Sequence, residues 1–117
     1  MKIGITIDCP DPDHLAAFWA QVLGYTRRPG GAGGPYVTID RPDGTDGPPH
    51  LTFQRVSEAK ITKIRTHLDL FVEHAAPIVA EMVAAGATSL AVTEAGDWTT
   101  RVLQDLAGNE FCVIGPD

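Results

Sequence analysis

At 117 residues, 44% of them hydrophobic, the chain is long enough to close one hydrophobic core and too short for two independent domains of ordinary size. Fifteen acidic against nine basic residues give a net charge of -6, which argues against binding to a nucleic-acid backbone and admits a cationic small molecule more readily than an anionic one. No apolar run is long enough to span a membrane, and Met1-Lys2-Ile3 enters a strand pattern without a signal-peptide profile, so a cytoplasmic protein without a membrane partner is expected.

The first strand is marked by Ile3, Ile5 and Ile7 alternating with Gly4, Thr6 and Asp8, the period of two that buries one face only. Asp11 then serves as N-cap and Pro12 as the first residue of a helix. Leu15, Phe18, Trp19, Val22 and Leu23 fall at helical spacing along it, and Gly24 stops it. Residues 25–28 read as a short strand. The run Gly30-Gly31-Ala32-Gly33-Gly34 lacks the lysine and the serine or threonine of a phosphate loop; it reads as a mobile strand connector able to act as a lid. Residues 36–40 and 51–56 form the next two strands. Arg41-Pro42-Asp43-Gly44 and Gly47-Pro48-Pro49 between them carry turn chemistry. Residues 57–63 are polar and read as a linker.

The same order then returns. Leu68, Leu70 and Val72 alternate with His67, Asp69 and Phe71, a helix over 75–85 stops at Gly86, and strands follow at 88–92, 98–104 and 110–114. The repeat lies in hydropathy and punctuation, with few identical letters. Its period of about 60 residues is too long for a solenoid unit. One domain over residues 1–117 is therefore expected, built from a module at about 1–57 and another at about 64–117. The expected fold is α+β: paired βαβββ modules forming an open eight-stranded mixed sheet around a cleft, with the helices outside.

Strand parity assigns faces. If Leu68, Leu70 and Val72 pack under the second helix, His67, Asp69 and Phe71 look the other way, and Glu110, Cys112 and Ile114 join them because Phe111 and Val113 go to the core. In the first module, Leu51 and Phe53 leave Thr52 and Gln54 on that face, beside Gly4, Thr6 and Asp8. His67, Gln54, Glu110, Asp69, Cys112 and Trp98 are the candidate ligand-binding residues. His67 is equally readable as a strand histidine satisfied by Asp69, Cys112 as a small buried residue, and Trp98 as a rim or interface tryptophan. Pattern leaves the face of Arg101 open. His14 and His50 read as solvent histidines and His74 as a surface or capping residue. Cys9 and Cys112 have no metal-ligand spacing and read as free thiols.

Asp11-Pro12-Asp13-His14-Leu15-Ala16-Ala17-Phe18-Trp19 with Leu23-Gly24-Tyr25, Thr66-His67-Leu68-Asp69-Leu70, and Asp105-Leu106-Ala107-Gly108-Asn109-Glu110-Phe111-Cys112 together resemble the vicinal oxygen chelate superfamily. That superfamily includes glyoxalase I, bleomycin-resistance proteins, fosfomycin-resistance enzymes and extradiol dioxygenases, and the resemblance is closest to its small glyoxalase-like proteins. It implies one metal ligand on each of the first, fourth, fifth and eighth strands, which here fall on Gly4, Gln54, His67 and Cys112. Of these only His67 matches well. A hard divalent ion is poorly served by that set, so no metal site is assigned and no cofactor expected; a site rebuilt around His67 and Glu110 is the way a divalent ion would return. Two functions remain. One is metal-independent binding or sequestration of a small organic compound, as in the bleomycin-resistance group. The other is a lyase or isomerase in which His67 or Glu110 moves a proton beside a carbonyl. No catalytic residue is assigned, and a homodimer is expected because such modules leave strand edges to cover.

Overall fold

Two units of one build follow each other in the chain, Met1–Ala59 and Lys60–Asp117. The computed structural model describes residues 4–42 and 49–117; Ile3 of the first strand pattern and Asp43, Gly44, Gly47 and Pro48 of the expected turns lie outside the described residues. The first unit runs β1 (Ile5–Cys9), α1 (Pro12–Leu23), β2 (Thr26–Arg27), β3 (Tyr36–Asp40) and β4 (Leu51–Arg55). The second runs β5 (Leu68–Phe71), α2 (Ala75–Ala84), β6 (Thr88–Ala95), β7 (Trp98–Gln104) and β8 (Glu110–Gly115). The sheet orders are β1-β4-β3-β2 and β5-β8-β7-β6. In each, the first and last strands pair in parallel and the other pairs are antiparallel. The repeat read in hydropathy is thus a repeat of topology, and the fold is α+β with two four-stranded mixed sheets.

In the first unit, the Asp11 carboxylate accepts from the His14 amide at 3.3 Å, Pro12 opens α1, and Gly24 closes it at φ 67, a left-handed cap that glycine adopts without penalty. Leu15, Ala16, Phe18 and Trp19 are buried, and α1 packs against β3 and β4. The Phe18 and Trp19 rings meet edge to face at 5.4 Å. Beneath them lie Val37 and Ile39 of β3 with Leu51 and Phe53 of β4, each at most 3% exposed. Truncating Phe53 to alanine in such packing costs about 3–5 kcal/mol.

In the second unit, Ala75, Val79 and Met82 form the buried stripe of α2, which packs on β8 over Phe111 and Val113. His74 holds the N-cap position with extended backbone but makes no side-chain cap bond. Gly86, at φ 116, ends the helix where a Cβ would also run into Leu106. Asp105, 4% exposed, shapes the turn before β8: its carboxylate accepts from the amides of Ala107 and Asn109 at 2.9 and 3.0 Å.

Two elements differ from expectation. β6 is longer than the pattern 88–92 because it pairs with the whole of β7, with a register shift between Ser89 and Ala91. The glycine-rich run is fastened to α1, since the Gly33 amide donates to Asp13 Oδ2 at 3.0 Å and Gly34 donates to the Gly31 carbonyl at 2.9 Å.

Candidate functional site

The face of each sheet turned away from its helix is where the sequence places its chemistry, and the registers settle what stands there. In the second unit Leu68 pairs with Phe111 and Leu70 with Val113 on the helix side; Asp69 pairs with Cys112 and Phe71 with Ile114 on the other. Across β7, Cys112 stands beside Val102 and Ile114 beside Thr100, and parity adds Trp98 to that face. Arg101 pairs with Val113 and so lies on the helix side, where it meets Asp117 at 2.7 Å. The pattern missed this because an arginine beside buried residues breaks the alternation.

His67, Asp69 and Cys112 come together. His67 Nδ1 stands 2.9 Å from Asp69 Oδ1, and one ligand atom from each of the three residues lies within 4.8 Å of the others. His67 and Asp69 are exposed, whereas Cys112 is buried. Burial pushes the Cys112 thiol up, and the Asp69 carboxylate, by its charge and by accepting a hydrogen bond from the thiol, pushes it further; Lys63 opposes. A thiol held protonated in this way is a poor nucleophile. Asp69 therefore sits at the centre of the group, against the imidazole on one side and accepting from the thiol on the other.

Glu110 shares the strand face but not the group. Its side chain is 8% exposed, one oxygen is held by Lys60 Nζ at 2.8 Å, and the other accepts from the Ile64 amide at 2.9 Å. Those bonds pull its pKa from the usual 4.5 to about 2. A fixed carboxylate of that kind ties residues 60–64 to the start of β8 and is a weak proton acceptor. The linker supplies this partner 50 residues away in sequence, a distance at which strand parity gives no signal.

In the first unit Thr6 pairs with Thr52 and Asp8 with Gln54, so Gln54 stands on the face opposite the helix, next to Tyr36 of β3. Thr38 and Thr52 hydroxyls meet at 2.9 Å on the same face. Gly4 has His50 over it: a Cβ at position 4 would fall 2.5 Å from His50 Nε2. His50 is half-buried and not the solvent histidine expected. Arg28 clamps Asp40 through two bonds of 2.9 and 2.8 Å, holding the Asp40 carboxyl below its usual range.

The four places implied for a hard metal ion thus offer no donor at Gly4, whose missing side chain makes room for an imidazole, a neutral amide at Gln54, an imidazole at His67 and a buried thiol at Cys112. This donor set does not fit an oxygen-seeking ion.

Solved structures share the fold. A glyoxalase/bleomycin resistance/dioxygenase family enzyme from Burkholderia phytofirmans PsJN is 22% identical with a TM-score of 0.73, covering 97% of this chain and 96% of its own. A mutant of the fosfomycin resistance protein FosX from Listeria monocytogenes, complexed with Mn(II) and a dihydroxypropylphosphonic acid, has a TM-score of 0.73 at 10% identity over 94% of this chain and 85% of its own. Lactoylglutathione lyase from Agrobacterium tumefaciens has a TM-score of 0.67 at 14% identity over 98% and 92%. Among curated proteins none matches the sequence. At these identities the likeness is one of fold, while the sequence model of the glyoxalase-like domain matches residues 4–114: the chain belongs to the glyoxalase-like family, within the vicinal oxygen chelate superfamily.

Proposed function

We propose that this protein binds and sequesters a small organic molecule on the β5–β8 face, with no need of a hard divalent ion. One observation carries the reading: two aromatic rings, Phe71 at 70% and Trp98 at 51% exposure, stand on the same sheet face as the His67–Asp69 pair, with Ile114 of β8 between their strands and Val102 on Trp98's own strand. Exposed aromatic surface beside a small polar group suits an amphiphilic ligand whose apolar part stacks and whose polar end is hydrogen-bonded. The net charge of -6 favours a cationic ligand over an anionic one. The lyase or isomerase alternative is less well supported, because Glu110, one of its two acid–base candidates beside His67, is engaged by Lys60 and Ile64.

The proposal includes a homodimer in the cytoplasm. β6 is an edge strand exposed along its whole length, with Leu90 and Val92 about half exposed, and such an edge calls for a cover. Neither cysteine stands in a disulfide, in keeping with a reducing compartment.

The test is a thermal-shift and tryptophan-fluorescence screen with aromatic cations, bleomycin among them, run beside a lactoylglutathione lyase assay. Saturable binding is expected, weakened by Phe71→Ala and Trp98→Ala with the fold intact, and no turnover. Turnover that needs Mn(II) and survives loss of both rings would overturn the reading.

A further inference from the structure

The internal repeat presents the same edge position twice, and the two edges are finished differently. In the first unit the edge strand is β2, two residues long and leading into Arg28, which clamps Asp40; shortness and charge are what keep an edge from pairing. In the second unit it is β6, eight residues long and exposed throughout, with neither proline nor lysine and with Glu94 as its one charge. Among the described residues no strand lies on its outer side. The register shift between Ser89 and Ala91 breaks its first half and leaves Ala91 to Ala95 as the regular stretch. There Ala91, Thr93 and Ala95 stand beside Val102, Thr100 and Trp98 on the face away from α2, and Val92 and Glu94 stand beside Arg101 and Thr99 on the helix side.

We propose that this stretch pairs antiparallel with the same stretch of a second copy about a two-fold axis through Thr93, joining two four-stranded sheets into one. The inference rests on the homodimer reading above and names its interface. Residues directly opposite in an antiparallel pair share a face, so the axis must pass through a residue, and for several to pair that residue is Val92, Thr93 or Glu94. An axis at Glu94 would set two carboxylates directly opposite each other, which is destabilising. One at Val92 would oblige Glu94 and Ala95 to pair across the irregular segment at Ser89 and Leu90. An axis at Thr93 pairs the whole stretch: Thr93 meets the partner's Thr93, hydroxyl to hydroxyl, Ala91 meets the partner's Ala95, and Val92 meets the partner's Glu94. Because Val92 stands beside Arg101, Arg101, Val92 and the partner's Glu94 then form one row across three strands on the helix side, with opposite charges at its ends. An isologous contact needs a strand that complements itself, and this one does, whereas a foreign strand would have to match the row by chance.

The experiment uses the full chain. Sedimentation velocity over a concentration series gives the dimer dissociation constant, and two kinds of variant test the register. Thr93→Cys sets two thiols face to face at the axis, where opposite Cα atoms stand about 4.5–5.5 Å apart, within disulfide reach, so mild oxidation should yield a covalent dimer. Val92→Cys, displaced along the strand from its own copy, should not link. Val92→Glu places a carboxylate against the partner's Glu94 in both symmetry-related pairs and should weaken association about tenfold, whereas Val92→Lys places an ammonium there and should tighten it. Val92 and Thr93 are exposed, so circular dichroism should match wild type in each; were a variant at Val92 to misfold, cross-linking through Thr93→Cys decides alone. A wild-type chain that stays monomeric at high concentration would overturn this interface and the homodimer reading together. A dimer in which Thr93→Cys fails to link, or which Val92→Lys and Val92→Glu weaken alike, would overturn the interface and leave the homodimer reading standing.

Discussion

Replacing Glu110 by glutamine removes one charge from a site that is 8% exposed and leaves its shape almost unchanged. In the native protein the carboxylate accepts from Lys60 Nζ at 2.8 Å and from the Ile64 amide at 2.9 Å, while Lys60 also donates to the Thr62 carbonyl at 2.8 Å. The fall in pKa from 4.5 to about 2 caps the charge-linked stabilisation at about 3 kcal/mol. Lys60 is 24% exposed, and solvent screening reduces that to about 1–2 kcal/mol. Because the folded pKa lies below the unfolded one, this stability is complete above 4.5 and drains away as pH falls toward 2. Glu110→Gln should therefore lower the urea midpoint at neutral pH by the equivalent of about 1–2 kcal/mol at unchanged m-value. The difference from wild type should close as pH approaches 2, where the native carboxyl is itself neutral. A variant as stable as wild type at neutral pH, or a gap that persists in acid, would refute the clamp. Lost turnover with full stability would instead return Glu110 to an acid–base role.

Two glycines should answer differently to alanine because different atoms stand in the way. At Gly115 a Cβ would lie 2.1 Å from the Val72 carbonyl oxygen, and since backbone cannot step aside the variant should lose about 1–3 kcal/mol in denaturant unfolding. At Gly4 the obstacle is the His50 ring, which can rotate, so stability should change by less than about 1 kcal/mol while the His50 ring resonances shift in NMR spectra. Asp13→Ala removes the acceptor for the Gly33 amide and the partner of Arg27; limited proteolysis should then cut within residues 30–34 faster than in wild type, and an unchanged rate would mean that Asp13 does not fasten the loop.

What the sequence makes legible here is whatever depends on near neighbours in the chain. Asp11, Pro12 and Gly24 bound α1 because capping is settled within a turn, and the alternation at 67–72 and 110–114 places His67, Asp69 and Cys112 on one face because side-chain direction in a strand follows count alone. Parity says nothing, however, about which polar group will find a partner. Glu110, an acid–base candidate by pattern, is held by a lysine from the polar linker; Asp69, a ligand-binding candidate by the same parity, stands between His67 and Cys112. The same limit explains Gly4. As a letter it is a metal ligand lost, but in the fold it is a space filled by His50 from the start of the neighbouring strand. A missing donor in a strand pattern is thus evidence about one position, and the chemistry of the face follows only when the register brings its neighbours alongside. For this chain that consideration narrows the chemical interest from the four places implied by the resemblance to the two on β5 and β8, where the Asp69 carboxylate stands between an imidazole and a thiol.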